Sequence, residues 1–342
     1  MRAIICRGYG PPEEVLHLVD VEEPAVGDDK VLINVHATSI NPADWHIVRG
    51  LPSIARLQFG LRTPSFGVPG CDVAGRVEAV GKDVSTLSRD DDVFGSPFMH
   101  GFGAFAERVS VPESLVARKP SNLTFEQAAA VPLAASTALQ GLRDHGHMEA
   151  GDSVLIVGAS GGVGSFAVQI AKALGAEVTG VCGTRHSDMV RSLGADHVID
   201  STQADFTDGG RRYDVILQAA GAHSAMACRR ALTTDGTLVQ ISGTSDNRWI
   251  GPLSRIVAGR LLSPFVSQMI TSFTVRPSRR DLELLGALIE DGKVTPVIDR
   301  TYSLTDIHAA IRQVEEGHTA GKVVVTVAAN TADIESKEPT YS

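Results

Sequence analysis

The stretch Ser153–Gly164, which reads Ser-Val-Leu-Ile-Val-Gly-Ala-Ser-Gly-Gly-Val-Gly, decides the fold of this chain. The apolar run Val154–Val157 is typical of a buried parallel strand, and Ser165–Leu174 has helical spacing. The glycine-rich turn between them puts unpaired helix N–H groups beside a backbone without side chains, which is a geometry that accepts a pyrophosphate. The alternative is a tight turn that binds no nucleotide. The turn residues predicted to contact a dinucleotide are Ser160, Gly161, Gly162, Val163 and Gly164.

The length and charge of the chain narrow its functional classes. With 342 residues two domains are expected, and 43% hydrophobic residues with 34 glycines suit an α/β protein rich in tight turns. The net charge of −9 comes without a basic stripe, so binding to nucleic acid or a membrane surface is not expected. The four cysteines form no Cys-x-x-Cys pair, which argues against a structural zinc lobe and for the reducing cytoplasm.

Two patterns of secondary structure divide the chain. Residues 1–124 carry short β-like runs separated by Gly, Pro and Asp, which predicts a compact, mostly β domain. Residues 125–272 alternate strands and helices, as in a doubly wound parallel sheet, with a less regular insertion at 246–268. The segment 273–330 is expected to return to the first domain and complete it. The polar residues 331–342 lack periodicity and predict a disordered tail.

The end of the predicted strand Val178–Cys182 bears on the choice of cofactor. NAD-preferring folds carry a carboxylate there for the ribose hydroxyls, whereas this chain continues with Gly183, Thr184 and Arg185. Without that carboxylate a 2′-phosphate is not repelled, and Arg185 offers a forked set of donors beside the Thr184 hydroxyl. NADPH is therefore predicted over NADH. The alternative is that Arg185 is a solvated residue at a helix start.

Two later strands, predicted at Tyr213–Leu217 and Thr237–Ile241, are each followed by a small residue and a glycine. Ligands of open parallel sheets bind at the carboxyl ends of the strands, so these pairs are candidate cofactor contacts. Their alternative role is to turn the chain. The residues concerned are Ala220, Gly221, Ser242 and Gly243.

Five motifs follow one another along the chain: Asn41-Pro42-Ala43-Asp44, Gly70–Val77, Val131–Ala138, Ala159–Gly164 and Gly321–Val325. In this order they resemble the medium-chain dehydrogenase/reductase superfamily and, within it, the zinc-independent quinone oxidoreductase-like branch. The resemblance covers about residues 1–328. It implies an α/β fold with a GroES-like substrate domain and a Rossmann domain, a cleft between them, and usually a homodimer. Ala159 replaces the first glycine of the usual fingerprint, which a turn with negative φ tolerates.

The resemblance also implies roles for two residues outside the glycine turn. It puts Thr137 near the cofactor phosphate or nicotinamide, and Lys322 resembles a basic residue that helps to hold the pyrophosphate. The alternatives are a helix kink after Pro132 for Thr137 and a surface lysine at a strand end for Lys322.

The zinc-dependent alcohol dehydrogenases of the same superfamily bind their catalytic zinc through three side chains. By resemblance, this chain has Asn41, Cys71 and Leu133 at those three positions. Leucine cannot bind zinc, and asparagine is a poor substitute for a thiolate. No metal is therefore expected, and Cys71 is interpreted as a small buried thiol.

Without a metal, a quinone or an α,β-unsaturated carbonyl is the easier hydride acceptor, because the resulting oxyanion is delocalised. The catalytic candidates near the nicotinamide are Asn41, Asp44 and His46. Asn41 is predicted to donate to the substrate oxygen, Asp44 to orient a neighbour, and His46 to act as an acid. The alternatives are helix-cap roles for Asn41 and Asp44 and a surface position for His46.

The leading prediction is thus a cytoplasmic, NADPH-dependent oxidoreductase that acts on a small-molecule quinone or enone and forms a homodimer. A zinc-free enoyl-thioester reductase or alcohol/aldehyde dehydrogenase remains an alternative. A crystallin-like nucleotide-binding protein with little turnover is another. Acceptor preference is expected to reside in residues 246–268 and Ile47–Phe66.

Overall fold

The computed structural model describes residues 1–221, 223–241, 267–317 and 319–327. The predicted contacts Ser242 and Gly243 lie outside the described residues, as do most of the predicted insertion 246–268 and the predicted tail 331–342. No helix within the described ranges is both long and apolar enough to cross a bilayer.

Short antiparallel strands dominate the amino-terminal part of the chain, as predicted. They are β1 (Arg2–Cys6), β2 (Leu16–Asp20), β3 (Lys30–Ile40), β4 (Val73–Val80), β5 (Asp92–Gly95), β6 (Arg108–Pro112) and β7 (Val116–Arg118). In the main sheet β3, β4, β5 and β7 are successive antiparallel neighbours, and β6 also pairs with β3. Strands β1 and β2 form a separate antiparallel pair.

The middle of the chain forms a second sheet whose described strands all run parallel. They are β8 (Ser153–Val157), β9 (Glu177–Cys182), β10 (His197–Asp200), β11 (Tyr213–Gln218), β12 (Leu232–Gln240) and β13 (Met269–Ser272). Their spatial order is β10-β9-β8-β11-β12-β13, so the chain moves outward from β8 and then continues on its other side. Open parallel sheets bind ligands at such a reversal, which here lies at the carboxyl end of β8.

The helices of the described residues cover the two sheets and connect them. They are α1 (Pro12–Val15), α2 (Pro42–Arg49), α3 (Arg56–Phe59), α4 (Phe125–Ala129), α5 (Pro132–Gln140), α6 (Gly162–Ala173), α7 (Ser187–Ser192), α8 (Ala225–Arg229), α9 (Arg279–Glu290) and α10 (Ile307–Glu316). Helix α6 begins at Gly162 rather than at the predicted Ser165, because the glycine turn itself supplies the first helical turn.

The last part of the chain returns to the first sheet. Strand β15 (Lys322–Thr326) runs antiparallel to β3, with Val323 opposite Ile40, and β14 (Ile298–Ser303) pairs parallel with β15. Because β3 ends directly before Asn41, this pairing brings the start of β15 next to the first sequence motif. The predicted domain boundaries themselves stay a prediction.

Helix α5 joins the cores of the two halves. Every residue of Pro132–Gln140 is buried, and the helix packs against α6 and α9. Its alanines belong to an apolar cluster that also contains Ala74 of β4 and Ile156 of β8. The two sheets are therefore connected through one buried helix, and the first turn of this helix faces the residues before β4.

Candidate active site

The glycine turn follows strand β8, and steric contacts require glycine at two of its positions. Gly158 has a φ of +84°, and a Cβ there would come within 2.6 Å of the Ala220 Cβ. A Cβ on Gly164 would lie 2.0 Å from the carbonyl oxygen of Gly158, so the close packing of α6 on the turn requires glycine. Only glycine satisfies both positions without a shift of the backbone.

The first turn of α6 leaves backbone donors available. Within α6, Ser165 is the first residue whose N–H bonds back to the turn, to the Gly161 carbonyl at 2.9 Å. The N–H groups of Gly162, Val163 and Gly164 therefore have no partner within the helix. A Cβ on Gly161 would meet nothing closer than 3.5 Å, so the backbone is open to approach there. Free amides, an open backbone and the helix dipole fit a dinucleotide pyrophosphate.

The returning strand closes one side of this turn. The N–H of Gly321 donates to the Ser160 carbonyl at 2.8 Å, and Gly321 forms a parallel bridge with Gly161. The side chain of Lys322 crosses Gly162 so closely that a Cβ there would lie 3.0 Å from the lysine Cδ. Gly162 therefore makes room for the stem of Lys322.

The end of strand β11 closes the other side. The N–H of Ala219 donates to the Val157 carbonyl at 3.0 Å, and Gly221 follows with a φ of +86°. Together with the contact between Gly158 and Ala220, this brings the predicted pair Ala220 and Gly221 beside the glycine turn. Their roles as cofactor contacts stay a prediction.

Thr184 and Arg185 follow strand β9, but the structure adds a neighbour that the local sequence did not indicate. Asp200, at the end of β10, accepts a hydrogen bond from the Thr184 hydroxyl at 2.6 Å. The hydroxyl and backbone N–H of Thr202 also donate to Asp200, and these bonds lower the pKa of its carboxyl below the usual range. Arg185 is exposed and forms no ion pair with any residue that the structure describes. The guanidinium of Arg185 and the carboxylate of Asp200 thus both belong to the region where the neighbouring strands β9 and β10 end.

The centre of the candidate acceptor site is Asp72, whose side chain is fully buried just before β4. Its Oδ2 accepts hydrogen bonds from the Ser39 hydroxyl at 2.7 Å and from the Asn41 side-chain nitrogen at 2.8 Å. Its Oδ1 accepts one from the Leu133 N–H at 2.8 Å, at the start of α5. The Lys322 ammonium lies 3.5 Å from Oδ2. These donors hold the carboxylate in one orientation and compensate its burial.

Lys322 belongs to this polar cluster, although the resemblance associated it with the pyrophosphate. Its side chain is 3% exposed. The ammonium donates to the Asn41 Oδ1 at 2.5 Å and to the Ile40 carbonyl at 3.2 Å. Lys322 therefore connects the glycine turn, which its stem crosses, with the buried carboxylate of Asp72.

Asp44 lies one helical turn from Asn41 and is also buried. Its Oδ2 accepts the backbone N–H of Asn41 at 2.8 Å, so the helix-cap role that was the alternative for these residues is present. The Cys71 thiol donates to its Oδ1 at 3.1 Å. Burial raises the pKa of Asp44 to about 7. Burial and the neighbouring carboxyl raise the pKa of the Cys71 thiol well above its usual range, which keeps the thiol protonated.

His46 lies on a different face of α2. It follows Asp44 by two residues, which is about 200° around a helix. Its ring stacks on Trp45 with a centroid distance of 3.6 Å, and its buried Nδ1 has no hydrogen-bond partner among the described residues. Burial lowers the pKa of His46, so the neutral imidazole is favoured. Its role as an acid stays a prediction.

Thr137 lies inside α5, one turn after Leu133. Its hydroxyl donates back to the Leu133 carbonyl at 2.7 Å, and the side chain is buried. The preceding Ser136 has a buried hydroxyl without a partner among the described residues. Proximity of Thr137 to the cofactor stays a prediction.

An aromatic cluster adjoins the polar cluster; its members are Phe59, Phe66, Phe98 and Phe102. It packs on Cys71 and Leu133, the residues that hydrogen-bond Asp44 and Asp72. The rings of Phe66 and Phe102 are 4.7 Å apart. Phe102 has a φ of +56°, an unusual conformation for a bulky residue, in which the surrounding contacts must hold it.

The donor set at this position does not fit a zinc ion. The Cys71 thiol is a hydrogen-bond donor to Asp44, and Leu133 offers only a backbone N–H. Asp72 is engaged by four donors, one of them the Lys322 ammonium. Within the described parts of the chain, no three His, Cys, Asp or Glu side chains are grouped so as to hold a metal ion.

Three polar contributors to these sites were not among the predicted site residues: Ser39, Asp72 and Asp200. The signal for Asp72 was present, since an acidic residue within the apolar segment Gly70–Val77 must find buried partners. Nothing local indicated Asp200, which reaches Thr184 only through the pairing of β9 with β10.

Comparisons with known proteins agree with this architecture. Residues 27–121 match the alcohol dehydrogenase GroES-like domain, and residues 193–325 match a family described as zinc-binding dehydrogenase. The chloroplast envelope quinone oxidoreductase homolog of Arabidopsis thaliana is 30% identical, across 95% of this chain and 98% of the relative. The NADPH-dependent alkenal/one oxidoreductase of the same plant is 32% identical, across 95% and 79%.

A solved structure agrees over nearly the whole length of the chain. The quinone oxidoreductase from Coxiella burnetii superposes with a TM-score of 0.82 at 29% identity, covering 96% of this chain and 99% of that one. The glycine turn at the switch point, the two sheets and these matches lead to one assignment. The chain belongs to the quinone oxidoreductase-like branch of the medium-chain dehydrogenase/reductase superfamily.

Proposed function

We propose that this chain is an NADPH-dependent oxidoreductase that reduces a quinone or an α,β-unsaturated carbonyl without zinc. The observation that carries the proposal is the buried polar cluster of Asn41, Asp72 and Lys322 directly beside the glycine turn. The names of two relatives, a quinone oxidoreductase homolog and an alkenal/one oxidoreductase, support the same class of acceptor.

The chain contributes binding and charge stabilisation to this reaction. A reduced nicotinamide would supply the hydride when bound. The free amides of Gly162, Val163 and Gly164 would hold its pyrophosphate. The side chain of Asn41 donates a hydrogen bond to the acceptor oxygen and stabilises the negative charge that develops there. Asp44 anchors the backbone of Asn41 at the start of α2. No step in this proposal requires His46.

The preference for NADPH rests on Arg185. Its exposed guanidinium, free of ion pairs among the described residues, is available to a 2′-phosphate. Asp200 opposes this preference, because its carboxylate lies beside Thr184 and repels a phosphate. The name of the alkenal/one oxidoreductase, which specifies NADPH, supports NADPH as the cofactor.

Zinc independence rests on the chemistry of the donor set. A protonated thiol, a leucine and a carboxylate paired with an ammonium leave no tetrahedral set of ligands. The proposal further includes a cytoplasmic location, a small-molecule acceptor and a homodimer.

The test is an acceptor panel with the purified protein. NADPH oxidation is followed with quinones, enones, simple ketones and an enoyl thioester, and each is repeated with NADH. Quinones or enones should accelerate NADPH oxidation most, and Asn41→Ala should lower kcat by about 100-fold, the usual cost of one oxyanion donor. Zinc in a purified sample should be far below one ion per chain.

Each alternative has its own outcome. Fastest turnover with the enoyl thioester would favour the thioester reductase. Binding of NADPH without turnover of any acceptor would favour a crystallin-like role. One zinc per chain together with ketone reduction would overturn the zinc-free proposal.

A further inference from the structure

Lys322 is a buried cation whose donors are all used inside the protein. An ammonium has three N–H groups. They meet the Asn41 Oδ1 at 2.5 Å, the Ile40 carbonyl at 3.2 Å and the Asp72 Oδ2 at 3.5 Å. With the side chain 3% exposed, no donor is left over for a phosphate on the outside of the glycine turn.

The contacts of Lys322 and Asp72 decide how the amide of Asn41 is turned. The amide oxygen faces the ammonium and the amide nitrogen faces the carboxylate, at 2.5 and 2.8 Å. A flipped amide would put N–H against N–H and oxygen against oxygen, two repulsive contacts in a buried site. The observed orientation is therefore strongly preferred.

This orientation leaves one defined donor. The Asn41 nitrogen carries two hydrogens, and one of them is taken by Asp72. The second has no acceptor among the described residues. The ammonium withdraws electron density from the amide oxygen, which makes the remaining N–H a better donor to an anion.

We infer that Lys322 is a positioning residue of the acceptor site: with Asp72 it holds the Asn41 amide so that one polarised N–H is presented to the acceptor oxygen. This inference rests on the proposed function, in which Asn41 is that donor. It assigns Lys322 to the acceptor half of the site and not to the pyrophosphate. Gly162 then serves to let the lysine stem pass between the two halves.

The test is a double-mutant cycle of Lys322→Met and Asn41→Ala, with kcat and the Kd for NADPH measured for each variant. Lys322→Met should lower kcat by about 10- to 100-fold and change the Kd for NADPH by less than about threefold. In the Asn41→Ala background, Lys322→Met should cost little more, because the amide through which it acts is gone.

Two results would overturn the inference. A rise of tenfold or more in the Kd for NADPH with kcat nearly unchanged would identify Lys322 as a pyrophosphate ligand. Fully additive losses of kcat in the double variant would show that Lys322 does not act through Asn41.

Lys322→Met leaves the Asp72 carboxylate buried without its counter-ion and can prevent folding. The variant Lys322→Met/Asp72→Asn removes both charges together, and the same kcat loss with unchanged Kd is expected of it. Failure of the proposed function itself has a different signature, since the unmodified protein would then turn over no quinone or enone while still binding NADPH.

Discussion

At the scale of single residues, the site depends on charges that are buried and compensated. The ion pair of Lys322 and Asp72 is nearly inaccessible, with side-chain exposures of 3% and 0%. Buried ion pairs are poor stabilisers, because desolvation offsets most of the attraction. Apolar side chains at these two positions would connect β15 with the segment before β4 equally well. We therefore attribute this pair to the orientation of Asn41 rather than to the stability of the fold.

Asp44 predicts a pH dependence of stability. Burial raises its folded-state pKa from 3.8 to about 7, so the folded state binds a proton that the unfolded state releases. The stability associated with the protonated form is present below about pH 4 and is lost as the pH rises to about 7. Asp44→Asn should reduce the difference in the free energy of unfolding between pH 5 and pH 7.5, measured by urea unfolding at both pH values. An equal difference in the variant and the unmodified protein would contradict the raised pKa of Asp44.

Arg185 and Asp200 predict opposite effects on cofactor choice. Arg185→Ala should weaken NADPH binding much more than NADH binding, since only NADPH carries the 2′-phosphate. Asp200→Asn should tighten NADPH binding and leave NADH nearly unaffected, because it removes a repulsive charge beside Thr184. Both expectations are tested by measuring the dissociation constants of each variant for NADPH and for NADH. Equal effects of Arg185→Ala on the two cofactors would contradict the NADPH proposal.

At the scale of secondary-structure elements, the glycine turn and α6 form one unit. A Cβ on Gly164 would overlap the Gly158 carbonyl at 2.0 Å, so Gly164→Ala must push α6 away from β8. We expect a lower melting temperature and loss of NADPH binding. Gly210→Ala is the matched control, because no atom lies within 4 Å of its Cβ and its φ is not positive. Similar melting temperatures for the two variants would argue against the packing role of Gly164.

The aromatic cluster predicts a preference among acceptors. It packs on Cys71 and Leu133 beside the polar cluster, and flat aromatic rings stack well on phenylalanine. Phe66→Ala should therefore raise KM for a naphthoquinone more than for a small aliphatic enone. Leu61→Ala is the control, since Leu61 lies in the same segment but is 69% exposed. An equal change for both acceptors would place the acceptor elsewhere.

At the scale of the whole molecule, the site forms where distant segments meet. Lys322 reaches Asn41 across 281 positions of sequence, through the pairing of β15 with β3. Helix α5 adds the Leu133 N–H from the junction of the two sheets. The candidate acceptor site and the glycine turn are thus parts of one connected structure, and we expect a change in the position of β15 to affect both.

The proposed homodimer is a prediction at this same scale. Strand β13 is the outermost described strand of the parallel sheet, and Met269 on it is 44% exposed. Exposed edge strands are natural sites of pairing between chains. Light scattering should give twice the mass of one chain, and Met269→Lys should shift the protein toward monomer. A monomer at micromolar concentration in the unmodified protein would contradict the proposal.

The sequence by itself determined the architecture and the position of the glycine turn. Strand β8, the glycines and α6 are contiguous, so a local pattern specifies them, and the order of elements predicted a parallel sheet preceded by a β-rich part. Even there the start of α6 was misjudged by three residues, because glycines lack the apolar spacing that marks a helix.

Only the tertiary structure decided the surroundings of Asn41 and of Thr184. The partners of Asn41 come from β15 and from the segment before β4, and Asp200 reaches Thr184 from a neighbouring strand. The side chain of Lys322 turns inward to Asp72, and its predicted contact with the pyrophosphate stays a prediction. Strand pairing and burial fix these contacts, and neither can be read from the spacing of residues along the chain.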